Sequence, residues 1–223
     1  MQYLITGTSY GLGAAIAEAV VGKGNAVLTC SRTEPRKMKL QNWVRCDMSR
    51  SQDINHVIDF ARATQYHFQG VVFNAAIADK SVDQWKPEQI RRHMETNFFG
   101  IAEMFHKLRL FNLLHSEVCN VVLLSSFLQN GNARQPAYAA SKAALWSWMR
   151  SFTLAQTASG NAENIQMNMI WPGRVETPAN PKRELPDGDP NLFRKPEEVV
   201  PTVMHYLTLP KGGPRGTVYD MGR

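Results

Sequence analysis

The chain has 223 residues, 43% of them hydrophobic and 20% charged, which suits one ordinary cored domain and excludes a disordered segment. It holds no apolar run of about 18 residues, so no bilayer span is expected, and Met1-Gln2-Tyr3-Leu4-Ile5-Thr6-Gly7 lacks the basic and long apolar parts of a secretory signal, which points to the cytoplasm. Lys and Arg number 25 against 19 acidic residues, a net charge of +6, but only Arg32, Arg36, Lys37 and Lys39 cluster and no nucleic-acid motif accompanies them, so neither nucleic acid nor membrane is an expected partner.

In chain order, Gln2 to Ile5 reads as a strand that runs into a glycine turn. Leu12, Ile16, Ala19 and Val20 then recur at helical spacing until Gly22 to Asn25 stop the helix. Further strands are expected at Ala26 to Cys30, Trp43 to Cys46, Gly70 to Phe73, Asn120 to Leu124, Ile165 to Ile170 and Thr217 to Tyr219. Between them fall helical segments at about Ser51 to Ala63, from Pro87 to about Leu114, from Ala137 to about Ala158, and from Pro196 to about Leu207. Alternation of this kind demands right-handed crossovers, hence an α/β fold: a single doubly wound parallel sheet of Rossmann type with helices on both faces, over residues 1–223. Ligands bind such a sheet outside the carboxyl ends of its strands, where every motif below falls. The stretch from Pro178 to Lys195 is irregular and polar, and is expected to form a short, open loop on the substrate side. Cys30, Cys46 and Cys119 have no metal-ligand or redox spacing and read as small buried hydrophobes; no metal is expected.

Thr6-Gly7-Thr8-Ser9-Tyr10-Gly11-Leu12-Gly13 lies between the first strand and first helix. Glycine there permits a sharp turn and close backbone approach to a ligand, and the helix start offers free N–H groups to a pyrophosphate. Tyr138-Ala139-Ala140-Ser141-Lys142 sets a phenol and an ammonium four apart, on one helix face. A nearby cation favours phenolate, which suits acid–base work on an alcohol or carbonyl.

The T-G-x-x-x-G-x-G turn and the Y-x-x-x-K helix together resemble the short-chain dehydrogenase/reductase family, and the likeness runs to nearly the last residue. It implies that Tyr138 gives or takes the proton, while Lys142 lowers its pKa and bonds the nicotinamide ribose. The serine that such proteins direct at the substrate oxygen is Ser125 by its spacing to Tyr138 or Ser126 by the S-S doublet, with the interval favouring Ser125 slightly. Asn97, in Asn97-Phe98-Phe99-Gly100, matches the family's N-x-x-G, whose asparagine interrupts its helix and holds a water next to the lysine. For the cofactor, the resemblance implies contacts from Gly7, Ser9, Tyr10, Gly11, Leu12 and Gly13, from Asp47 to the adenine amino group, and from Asn74, Ala75 and Ala76. Pro172 and Gly173 match a P-G segment in which Val175 and Thr177 touch the nicotinamide amide.

An acid at the end of the second strand would bind a ribose 2′-OH and repel a 2′-phosphate. Here Ser31 and Arg32 stand instead, so NADP(H) is expected over NAD(H), which is left possible. The expected activity is hydride transfer between NADP(H) and a small-molecule carbonyl or alcohol substrate, and the short open loop suits one that is exposed, bulky or carried on another molecule. The alternative is a non-catalytic dinucleotide-binding regulator on the same fold; an epimerase or dehydratase using the same dyad is a third. The resemblance further implies a homodimer or homotetramer, to which Phe98, Phe105, Leu108, Trp146, Trp148 and Phe152 could contribute.

Overall fold

A computed structural model of the chain describes residues 1–35, 42–78, 82–158, 164–177 and 193–222. The elements are β1 (Gln2–Thr6), α1 (Gly11–Gly22), β2 (Ala26–Ser31), β3 (Trp43–Arg45), α2 (Ser51–Ala63), β4 (Gly70–Phe73), α3 (Pro87–Met94), α4 (Gly100–Leu110), β5 (Cys119–Leu124), α5 (Pro136–Ala158), β6 (Ile165–Trp171), β7 (Arg174–Val175), β8 (Phe193–Arg194), α6 (Pro196–Leu207) and β9 (Val218–Asp220). Seven strands form one parallel sheet in the order β3-β2-β1-β4-β5-β6-β9, and β7 and β8 make a separate parallel pair. The chain winds outward from β1 to β3 and then returns to β4 beside β1. That reversal opens a crevice above the carboxyl ends of β1 and β4.

Period-two alternation assigns each strand residue to one of two cores. Tyr3 and Ile5 of β1 join Leu12, Ile16 and Val20 of α1 and Val199, Val203 and Leu207 of α6 on one face. Leu4 joins Ile54, Val57 and Ile58 of α2, Ile101 and Phe105 of α4, and Leu145 and Met149 of α5 on the other. The central strands are buried almost throughout because both faces are covered, and the polar residues they carry, such as Asn120 and Gln166, are hydrogen-bonded to each other. No helix among the described residues is long and apolar enough to cross a membrane.

The single helix expected from Pro87 to about Leu114 is instead two helices joined by a π-turn at Glu95–Phe99, and it ends at Leu110. Asn112 takes a left-handed φ of 53°, which stops the helix, and Leu114 then bridges to Phe68. Phe105 and Leu108 are core residues, with Phe105 meeting Trp148 and Phe152 edge-on at 5.4 and 5.2 Å. Phe98, Trp148 and Phe152 are half-buried against the same core, whereas Trp146 is exposed. Of the basic cluster only Arg32 is described; Arg36, Lys37 and Lys39, like most of the 178–195 loop, lie outside the described residues.

Candidate active site

The glycine turn is held by hydrogen bonds with the residues that follow β4. Asn74 Nδ2 donates to the carbonyls of Thr6 and Gly7 at 3.2 and 3.0 Å, and Thr6 Oγ1 accepts from the Asn74 and Ala75 amides. Gly7 has φ 74° and lies so close to Ala75 that a Cβ would come within 2.8 Å of its Cα. A Cβ on Gly13 would strike the Gly7 carbonyl. Both glycines are therefore steric necessities of the turn. Helix α1 follows with no side-chain cap from Tyr10 and no acid in its first turn, which leaves its amides for an anion. The cradle at Gly11, Leu12 and Gly13 fits a pyrophosphate on those grounds.

Tyr138 and Lys142 stand one turn apart on α5, with Lys142 Nζ 5.7 Å from the phenol ring centroid. Lys142 is 2% exposed, and its ammonium donates to the Leu124 carbonyl at 2.8 Å. Burial lowers its pKa to about 8. Burial also pushes the Tyr138 phenol up to about 12, opposed by a hydrogen bond with the Ser126 side chain. Burial sets the direction of the phenol's shift, and the ammonium expected to lower it donates to the Leu124 carbonyl.

The two serines at the end of β5 point apart. Ser126 meets Tyr138 and also accepts the Leu128 amide at 3.2 Å, starting a 3-10 turn at Phe127–Asn130. Ser125 is buried, with Oγ donating to Gln129 Oε1 at 3.2 Å. Geometry thus favours Ser126 over Ser125 as the partner of the phenol. Asn97 lies buried in the π-turn, where its Oδ1 accepts the Ile77 amide at 2.8 Å and its Nδ2 donates to Ile77 O and Ser141 Oγ, each at 3.0 Å. The carboxamide joins the segment after β4 to the helix that carries Lys142.

At the other end of the crevice, hydroxyls gather beside the end of β2. Ser9 Oγ and Ser31 Oγ both donate to the Thr33 carbonyl, at 2.9 and 2.8 Å, and the Trp43 indole donates to Ser31 Oγ at 2.9 Å. Arg32 is exposed next to them. Asp47 follows β3; burial would raise its carboxyl, but hydrogen bonds from the Ser49 amide and hydroxyl, together with Arg32 and Arg50, lower it overall. Ala75 is half-buried and Ala76 exposed, both close to the turn.

Past β6, Pro172 and Gly173 turn the chain, with Gly173 at φ 74°, and lead into Val175 and Thr177. Thr177 lies across the crevice on the glycine turn: a Cβ at Gly11 would come within 2.8 Å of its Cγ2. The structure therefore brings the candidates from β1, β4, β5, β6 and α5 to one rim of one sheet.

The family model for short chain dehydrogenases matches residues 2–187. The chain belongs to the short-chain dehydrogenase family. Curated relatives include the oxidoreductase YxnA of Bacillus subtilis, 26% identical over 93% of this chain and 63% of that protein, and the 3-oxoacyl-[acyl-carrier-protein] reductase FabG of Salmonella typhimurium, 26% identical over 78% of this chain and 73% of that one. The chain thus spans less than two thirds of YxnA, as it does of the rabbit L-fucose dehydrogenase. Among solved structures, L-sorbose reductase from Gluconobacter frateurii, complexed with NADPH and L-sorbose, shares the fold with a TM-score of 0.82 at 20% identity, covering 99% of this chain and 94% of that one.

This short-chain dehydrogenase also contains two site-side residues that no motif announces. Gln84, 1% exposed, accepts the Tyr138 amide on Oε1 at 3.1 Å and so caps α5 at the phenol itself. Arg194 of β8 threads its guanidinium into the turn at Pro172 and Gly173. A long polar side chain in an irregular segment gives no periodic signal; only its partners in space identify it.

Proposed function

We propose that the chain is an NADP(H)-dependent oxidoreductase interconverting a carbonyl and an alcohol, with Tyr138 as the general acid and base. The observation that carries this reading is the Tyr138–Ser126 hydrogen bond beside the buried ammonium of Lys142, on the rim that holds the glycine cradle. The nicotinamide, when bound, supplies or accepts the hydride; the chain binds, orients and moves the proton. Gly7 and Gly13 close the turn that presents the α1 amides at Gly11, Leu12 and Gly13 to the pyrophosphate; Asp47 reads the adenine, and Asn74, Ala75 and Ala76 line the cofactor beside the turn. Val175 and Thr177 hold the nicotinamide end.

Ser126 donates to the substrate oxygen and Tyr138 protonates it. A phenol raised to about 12 is protonated near neutrality, the form that a general acid needs for carbonyl reduction. Lys142, at about 8, carries its charge under the same conditions. Asn97 and Gln84 fix the helix on which both stand. NADP(H) is favoured because the exposed cation of Arg32 stands beside Ser9 and Ser31 at the end of β2 and suits a 2′-phosphate, whereas an acid there would repel it. The L-sorbose reductase with the same fold was solved with NADPH.

The test is oxidation of NADPH and of NADH across a panel of ketones, aldehydes and sugars, in the wild type and in Tyr138→Phe. The variant should lose roughly 10²- to 10⁴-fold in kcat with its NADPH affinity kept. Equal rates in the two proteins would take Tyr138 out of the reaction, and faster turnover with NADH would reverse the cofactor assignment.

A further inference from the structure

The half-buried guanidinium of Arg194 serves three carbonyls from two separate segments. Nη1 donates to Pro172 O at 3.5 Å and to Gly222 O at 3.3 Å, and Nη2 donates to Met221 O. It also fills the space beside Gly173, where a Cβ would collide with Nη1. The main chain of the same residue grips the other side of the turn: the Glu176 amide donates to Arg194 O at 2.9 Å, and β7 pairs with β8 in the register Val175↔Arg194. Met221 is in turn tied to β6, its amide donating to Trp171 O at 3.0 Å. Residues 172–176 are therefore clasped at both ends by one residue of β8. They lead into Thr177, which rests on Gly11 of the glycine turn.

We propose that Arg194 is a positioning residue for the nicotinamide half of the dinucleotide, acting through the Pro172–Thr177 segment and the strand-end segment Met221–Gly222. A guanidinium suits the task because its planar array of five donors can serve several carbonyls at once; a lysine ammonium presents a single charged point on a flexible stem. Carbonyls that it releases can be hydrated, so its removal loosens the turn without unfolding the sheet. The inference rests on the cofactor reading above, and it separates the two halves of the ligand. The hydrogen bonds of Arg194 go to Pro172, Glu176, Met221 and Gly222 and not to Ser9, Ser31, Arg32 or Asp47, so the adenine half should be indifferent to it.

Calorimetric titration of wild type, Arg194→Met and Arg194→Lys with 2′,5′-ADP and with NADPH decides the matter. Arg194→Met should bind 2′,5′-ADP within about twofold of wild type and NADPH about tenfold more weakly, with Arg194→Lys in between. In turnover, KM for NADPH should rise more than kcat falls. Wild-type NADPH affinity in Arg194→Met overturns the proposal, and so does an equal loss for both ligands, which would mark a general structural role. If Arg194→Met does not fold, Arg194→Lys decides alone: a selective loss of NADPH supports the role, and unchanged affinities refute it. A wild-type chain that binds neither ligand would sink the cofactor reading itself, a result distinct from any of these.

Discussion

Enclosing an ammonium costs a fold several kcal/mol unless hydrogen bonds compensate, and Lys142 is compensated by one carbonyl, that of Leu124. The residual cost is visible in its pKa, about 8 against an ordinary 10.5. Between those values the unfolded chain binds more protons than the folded one, so this group makes stability rise with pH. From pH 7 to 9 its contribution should grow by about 1 kcal/mol. The thiols of Cys30, raised by its contact with Cys46 and by burial, and of Cys119, raised by burial, oppose it as pH nears 9, so the measurement is a difference. Urea melts of wild type and Lys142→Met should show the variant losing that upward component; parallel pH profiles would mean that Lys142 is not desolvated as described. Tyr138 works in the other sense, but only above its ordinary value of 10.0, where the folded chain holds the extra proton. None of this was readable from Y-x-x-x-K. The motif places two groups on one helix face, but whether the cation faces the phenol or a backbone carbonyl depends on which strand end lies beneath. The choice between Ser125 and Ser126 is of the same kind: interval and doublet disagree, and only the 3-10 turn after β5 separates their directions.

The π-turn at Glu95–Phe99 shows what a helix can carry when a side chain must reach inward. One extra residue per turn brings Asn97 around to Ile77 and Ser141, and the helix resumes at Gly100. That glycine is required by packing: a Cβ there would drive into the Met48 carbonyl, which is backbone and has little room to yield. Gly100→Ala should therefore destabilise the chain by about 1–3 kcal/mol, measured as a lower denaturant midpoint with an unchanged slope. A wild-type midpoint would show that the β3–α2 connection gives way freely. Periodicity located the helix itself, since apolar positions continue on both sides of the turn, but it cannot register one inserted residue. The pair β7–β8 escaped notice for a different reason. Two-residue strands have no period, and their hydrogen bonds close a loop whose ends are far apart in sequence.

The seven-stranded sheet was the most legible part of the molecule, because short, mostly apolar strands alternate with longer helical segments, and because the motifs recur at the carboxyl ends of several strands. Association between copies is less so. Trp146 and Leu154 lie eight apart on one stripe of α5, 40% and 62% exposed, and Phe99 of the neighbouring π-turn is 49% exposed. These support a homodimer or homotetramer formed through that layer, whereas Phe105 and Leu108, which could equally have served, are spent on the core. Light scattering should find a multimer for wild type and a monomer for the double variant Trp146→Glu, Leu154→Glu; a monomeric wild type at tens of micromolar would remove the idea. The contact of Thr177 with Gly11 reaches further than either residue. It makes the first loop of the chain and the loop beyond β6 neighbours, so a side chain acquired at position 11 would be felt at position 177. Substitutions at these two places are not independent, and descendants of this chain could drift at one only by drifting in concert at the other.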